Sequence, residues 1–163
     1  MIRGSCLCGA VKFEVTRFVG PFEYCHCSRC RKVSGGAFAS MVGVAAEDFA
    51  WISGRDEIES YVAPVDEWPP GYKSSFCRRC GSPMPGFDPQ EEWFEIAAGG
   101  LDDDPELRFD RHIFVECLPD WSQITDDQPQ LTKAELIRMR IAEMKRASGS
   151  DESQSKSETE AGA

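Results

Sequence analysis

No run of apolar residues in this chain approaches the roughly 20 that a helix needs to span a bilayer, and Met1 to Cys6 lacks the apolar core of a secretory signal. Positive charge is also short: 18 Lys and Arg stand against 28 Asp and Glu, for a formal net charge of -10 and a sequence pI near 4.7. Phosphate binding needs Lys and Arg to displace counterions, so this balance argues against a nucleic-acid partner, and an acidic membrane surface is disfavoured by the same sign. There is no glycine loop of nucleotide-binding form and no internal repeat beyond paired cysteines. The expectation is a cytoplasmic protein of 163 residues, one domain with a modest core and a tail.

Cysteine, by contrast, is plentiful, with 8 in the chain. Without an export signal, short-spaced thiols are better explained by metal binding or redox work than by disulfides, because the cytosol keeps thiols reduced. Their spacing sorts them. Cys6-x-Cys8 and Cys77-x-x-Cys80 together supply the four sulfurs that close a tetrahedral zinc site, and glycine follows each pair at Gly9 and Gly81. On an extended segment Cys6 and Cys8 would point to one face, and a disulfide between them would close a strained ring. The stretch Cys25-His26-Cys27-Ser28-Arg29-Cys30 leaves three more, one short of a closed shell.

A closed shell of four thiolates stabilises structure, whereas three protein ligands leave a position for water or substrate. An incoming thiol would be held there as thiolate. The reading is therefore two zinc ions, one sealed and one open, although ligand count alone leaves either a catalytic or a structural role for Cys25, Cys27 and Cys30. Arg29, Arg31, Lys32, Arg78 and Arg79 lie beside the ligands, as ordinary solvated side chains or as groups that offset thiolate charge. His26 would point away from its neighbours' metal, beside the ligands or exposed. His112 reads as a core or edge residue, with proton transfer open to it if the fold brings it to the open metal. Cys117 stands alone and reads as core, with a redox role as the lesser alternative.

Alternating residues predict strands around 2–19, 37–44, 49–53, 58–62, 93–98 and 112–117, so the chain is mainly β. Residues 63–72 form a Pro-rich loop whose Trp68 could line a groove; Trp93 and Trp121 read as packing residues. Thr132-x-x-Glu135 is a capping box, and Leu136, Ile137, Ile141 and Met144 recur at helical spacing. The expected organisation is a zinc-binding domain over 1–128, a C-terminal helix over 129–147 and a disordered acidic tail over 148–163.

Gly4-Ser5-Cys6-Leu7-Cys8-Gly9, the stretch Cys25 to Gly35, Phe76-Cys77-Arg78-Arg79-Cys80-Gly81-Ser82-Pro83 and Gly100-Leu101-Asp102-Asp103, in that order, resemble the glutathione-dependent formaldehyde-activating enzyme family, also called the centromere-protein-V/Gfa domain. The resemblance covers about residues 2 to 125. It implies an Mss4-like fold of antiparallel sheets around zinc, with Cys6, Cys8, Cys77 and Cys80 as the structural site and Cys25, Cys27 and Cys30 as the catalytic one. It further implies a carbon-sulfur lyase whose partners are glutathione and formaldehyde or a related small aldehyde. The competing reading is a zinc-stabilised protein-interaction module that contacts its partner through the C-terminal helix.

Overall fold

The computed structural model describes residues 1–64 and 72–157, with the side chains of 147–157 excepted. Most of the Pro-rich loop, Trp68 included, lies outside the described residues. Three sheets make up the molecule. The first joins β1 (Ile2–Ser5), β2 (Lys12–Val15) and β5 (Phe49–Ser53), all antiparallel. The second, with five strands, runs β11 (Gln130–Leu131), β10 (Arg111–Ile113), β3 (Phe18–Cys25), β4 (Ala39–Ala45) and β9 (Trp93–Ala97). The third joins β6 (Ile58–Val62), β7 (Lys73–Cys77) and β8 (Pro83–Met84). Helix α1 spans Ser28–Ser34 and α2 spans Lys133–Ser157. Among the described residues no helix is long and apolar enough to cross a membrane.

The alternation read from the sequence places Val11, Phe13 and Val15 of the first sheet against Val42, Val44, Phe94 and Ile96 of the second. Phe13, Phe49, Phe87 and Phe94 pack ring against ring at centroid distances between 5.1 and 5.5 Å. Full burial of such a side chain, as at Phe13, contributes about 1.5–3 kcal/mol. Cys6 and Cys77 belong to this same core, so one thiol of each pair is anchored in the best-packed part of the molecule.

The structure departs from the sequence expectation in several places. Strand β3 runs through Gly20-Pro21, which reads as a break. A bulge between Phe18 and Phe22 removes the need for a proline N–H there. Gly20 crosses Gly43 so closely that a Cβ at Gly20 would lie 2.8 Å from the Gly43 Cα. The strand expected over 112–117 ends at Ile113, because Phe114 takes a left-handed φ of 58° and Val115–Cys117 coil into a 3-10 turn. That leaves Cys117 only partly buried rather than in the core.

Two strand pairs, β3 with β10 and β10 with β11, are parallel, so the sheets are not uniformly antiparallel. Helix α2 starts as expected: the Thr132 hydroxyl accepts from the Glu135 N–H at 3.4 Å, and the Glu135 carboxylate accepts from the Thr132 N–H at 2.8 Å. It then runs past 147 to Ser157, since extending a nucleated helix fixes far less chain per hydrogen bond than starting one.

Candidate metal centres

Cys6-Leu7-Cys8 is a turn, not the extended segment that alternation suggested. The Gly9 N–H returns to the Cys6 carbonyl at 2.8 Å with Gly9 at φ 71°. The Gly81 N–H returns to the Cys77 carbonyl at 2.8 Å with Gly81 at φ 76°. Both pairs are thus the same device, a knuckle whose closing residue needs the left-handed region that glycine reaches freely. Ser82 ties them together: its hydroxyl accepts from the Leu7 N–H at 3.0 Å and sits 3.3 Å from the Cys80 sulfur.

The four sulfurs lie within 4.8 Å of one another, with Cys6–Cys8 at 3.5 Å and Cys8–Cys77 at 3.9 Å. Tetrahedral zinc with bonds near 2.3 Å needs sulfur separations of about 3.8 Å, far beyond the roughly 2.05 Å of a disulfide. The donor set fits a metal. The Val11 N–H donates to the Cys6 sulfur at 3.2 Å, and the Ser82 hydroxyl and backbone draw the Cys80 thiol down to about 6. Both contacts favour thiolate.

Cys25 closes β3, Cys27 is the N-cap of α1, and Cys30 lies in its first turn. The Cys27 sulfur accepts from the Cys30 N–H at 3.4 Å, and the three sulfurs also lie within 4.8 Å of one another. The thiols of Cys25 and Cys30 pull Cys27 far down, while those of Cys27 and Cys30 push Cys25 far up. Without a cation the cluster shares one negative charge; a divalent ion removes that restriction. The cluster packs on Ile113 and Leu136, with Met139 and Leu131 around it.

His26 is not exposed. It is 1% accessible, its Nε2 lies 2.8 Å from the His112 Nδ1, and the His112 Nε2 lies 3.1 Å from Asp126. Burial, and then the neighbouring His112, push the His26 pKa down, so the ring stays neutral. An Asp126 carboxylate accepting from His112 sets the tautomers along the chain and leaves the His26 Nδ1 as a buried acceptor without a partner. His112 is therefore a core residue, joined to the metal-site loop through His26.

Of the five flanking cations, Arg78 and Arg79 are held by the buried Glu57, with Arg78 Nε 2.7 Å from its carboxylate. Arg31 donates to the His26 carbonyl at 3.2 Å, and Arg29 lies 5.0 Å over the Tyr72 ring. Burial and the three nearby thiols raise the Tyr72 pKa, so its phenol keeps its proton.

Sequence reasoning missed Glu23, Arg140 and Asp126. Glu23 is 1% accessible. Arg140 donates to it at 3.0 Å, and Arg111 lies 3.1 Å from its other oxygen without hydrogen-bond alignment. Burial raises the Glu23 pKa against the pull of Arg140 and Arg111. Only its place two residues before Cys25, on the same strand face, could have singled it out.

A cleft of about 520 Å³ runs from Cys6 and Leu7 to Ser34, Phe38 and Ser40, with Gly99 and Gly100 on its wall. Ala39, also on its lining, pairs directly with Cys25. A smaller recess of about 160 Å³ on β6 and β7 touches none of the thiols.

Residues 1–117 match the family model described as glutathione-dependent formaldehyde-activating enzyme. The chain belongs to that family. A curated protein of Halomonas elongata, provisionally named a glutathione-dependent formaldehyde-activating enzyme, is 34% identical over 129 residues, which cover 76% of this chain and 81% of the relative. A crystal structure of a Rhodobacter sphaeroides protein is similar at 24% identity and a TM-score of 0.48, covering 63% of this chain and 91% of that one. All seven clustered cysteines fall inside the segment that matches the formaldehyde-activating enzyme family, whereas Asp126, β11 and α2 fall after it.

Proposed function

We propose that this chain is a zinc-dependent carbon-sulfur lyase that adds glutathione to formaldehyde or a related small aldehyde, giving S-(hydroxymethyl)glutathione. The observation that supports it is the unequal pair of thiol clusters, one with four donors and one with three, in a chain of this family. Cys6, Cys8, Cys77 and Cys80 would hold the structural zinc, and Cys25, Cys27 and Cys30 the catalytic one. Bound there, zinc would supply a position at which an incoming thiol ionises near neutral pH.

The chain's own residues would do the rest. In the addition a carbon-sulfur bond forms at the aldehyde carbon, the carbonyl π pair moves to oxygen, and the thiol proton ends on that oxygen. Tyr72, whose ring lies 5.0 Å under Arg29 of the turn between Cys27 and Cys30, is the hydroxyl suited to stabilise the developing charge. The cleft bounded by Ser34, Ser40 and Gly99-Gly100 is the volume suited to the tripeptide, and Gly99-Gly100 would select among thiols and aldehydes. Leu136 and Met139 of α2 pack with the three-thiol cluster, which turns that face of the helix inward and weighs against its use by an interaction module.

The test is direct. Glutathione should perturb the spectrum of the cobalt-loaded protein, and S-(hydroxymethyl)glutathione should form above the uncatalysed rate by NMR. A spectrum indifferent to glutathione, with no acceleration, sinks the enzyme reading.

A further inference from the structure

Beyond Cys117 the chain does not leave the domain; it returns to the three-thiol cluster on both faces of β3. Successive residues of a strand point to opposite faces, so Glu23 and Cys25 share one side and Tyr24 and His26 the other. Helix α2 covers the first side. Its Leu136, 1% accessible, packs with Cys25 and Cys27, and Arg140, four residues later, donates to Glu23 at 3.0 Å. That helical step of about 6 Å matches the roughly 6.6 Å between alternate strand residues, so two contacts of one helix face fall on two residues of one strand face.

Asp126 serves the second side, lying 3.1 Å from His112, which in turn meets His26 at 2.8 Å. Between them β11 pairs with β10 and carries the chain around the sheet edge. The Glu116 carboxylate accepts from the Lys133 N–H at 3.0 Å and fastens the start of α2.

We propose that the segment from Asp126 to Arg140 is a strap that positions the three-thiol centre for its metal, with Arg140 and Asp126 as positioning residues. Arg140 offsets the buried charge of Glu23, two residues from Cys25, and lies 4.0 Å from Glu95 on β9 of the same sheet. Asp126 orients His112 and through it the ring of His26, whose backbone carries Cys25 on one side and Cys27 on the other. Removing Arg140 leaves Glu23 buried with one misaligned cation, which loosens the end of β3 at Cys25, two residues before Cys27. Among the described residues the four-thiol cluster belongs to a different core group from the one that holds Leu136, and should be indifferent to the strap. The strap presupposes a metal on the three thiols but no particular reaction.

The experiment loads the full chain with zinc, dialyses it against a graded chelator and counts metal per chain. Wild type should hold two equivalents. Arg140→Met should release one of them at a chelator concentration lower by about 10-fold or more, as loss of supporting residues around a metal commonly does. Asp126→Asn, a change at a partly exposed side chain, should loosen that same equivalent by less, and Arg140→Lys should stay near wild type. In a Cys27→Ser background, where only the four-thiol metal remains, Arg140→Met should change nothing. Retention of both equivalents by Arg140→Met, or release of both together, overturns the strap alone. A wild type that binds a single equivalent overturns the metal assignment of the three thiols, and the strap falls with it.

Discussion

The two thiol clusters differ in opposite senses by chemistry and by burial. The four-thiol cluster is closed in ligand number and runs from core to surface, with Cys6 and Cys77 buried, Cys80 partly exposed and Cys8 exposed. The three-thiol cluster is open in ligand number yet has no exposed thiol, with Cys25 at 5% and Cys27 at 9% accessibility beneath Leu136 and Cys30 partly buried. A metal with a full thiolate shell tolerates water around it because water finds no vacant position. An open position needs the reverse, a dry and shaped surrounding that decides which molecule reaches it. Burial here follows the work each site would do.

That contrast is most severely tested by Cys77→Ser. The residue is 0% accessible and its cluster joins residues 6–8 to 77–80, so its loss should abolish cooperative thermal unfolding or lower the midpoint by tens of degrees, read by circular dichroism. An unchanged melt would mean that the closed cluster does not hold the fold.

Cys27→Ser should do the opposite: the melt survives, one zinc equivalent is lost, and turnover falls by more than about 100-fold. Turnover at the wild-type rate would remove the open site from the mechanism. Tyr72→Phe should leave both zinc equivalents and the melt in place while lowering kcat by about 100-fold with little change in KM, measured by steady-state kinetics.

The smallest effect belongs to Glu57→Gln beside the four-thiol cluster. Arg79 and Arg78 hold the Glu57 carboxyl at about 2, below its ordinary 4.5. A depressed carboxylate stabilises the fold above its ordinary value and loses that contribution as pH falls toward its folded one. The difference in melting point between wild type and Glu57→Gln should therefore be full above pH 4.5 and shrink toward pH 2. A difference independent of pH would show that packing rather than charge gives Glu57 its role.

Legibility in the sequence was uneven for physical reasons. Ligand pairs that are local, such as Cys77 and Cys80, carry their spacing in the chain, and so does the Thr132 capping box. Strands with one buried face, such as Lys12–Val15, are visible because alternation has period two. Strand β3 was hidden because Gly20 and Pro21 read as a break, and only the close crossing with Gly43 and the bulge explain their presence. His26 reads from its neighbours alone as either beside the ligands or exposed; its burial depends on His112, 86 residues away.

What the sequence determined by itself was the inventory: seven thiols in spacings that suit metal, an acidic surface, and a family signature in order along the chain. Tertiary structure supplied the meeting that spacing could only anticipate, because residues 8 and 77 come together only when the first and third sheets close on a common core. It also decided that a segment after the family signature covers the open cluster. Side chains such as Arg140 and Asp126 act through partners far away in sequence, Glu23 and His112. No local pattern encodes such a pairing, since its cause is the burial of one charge against another once the chain has folded.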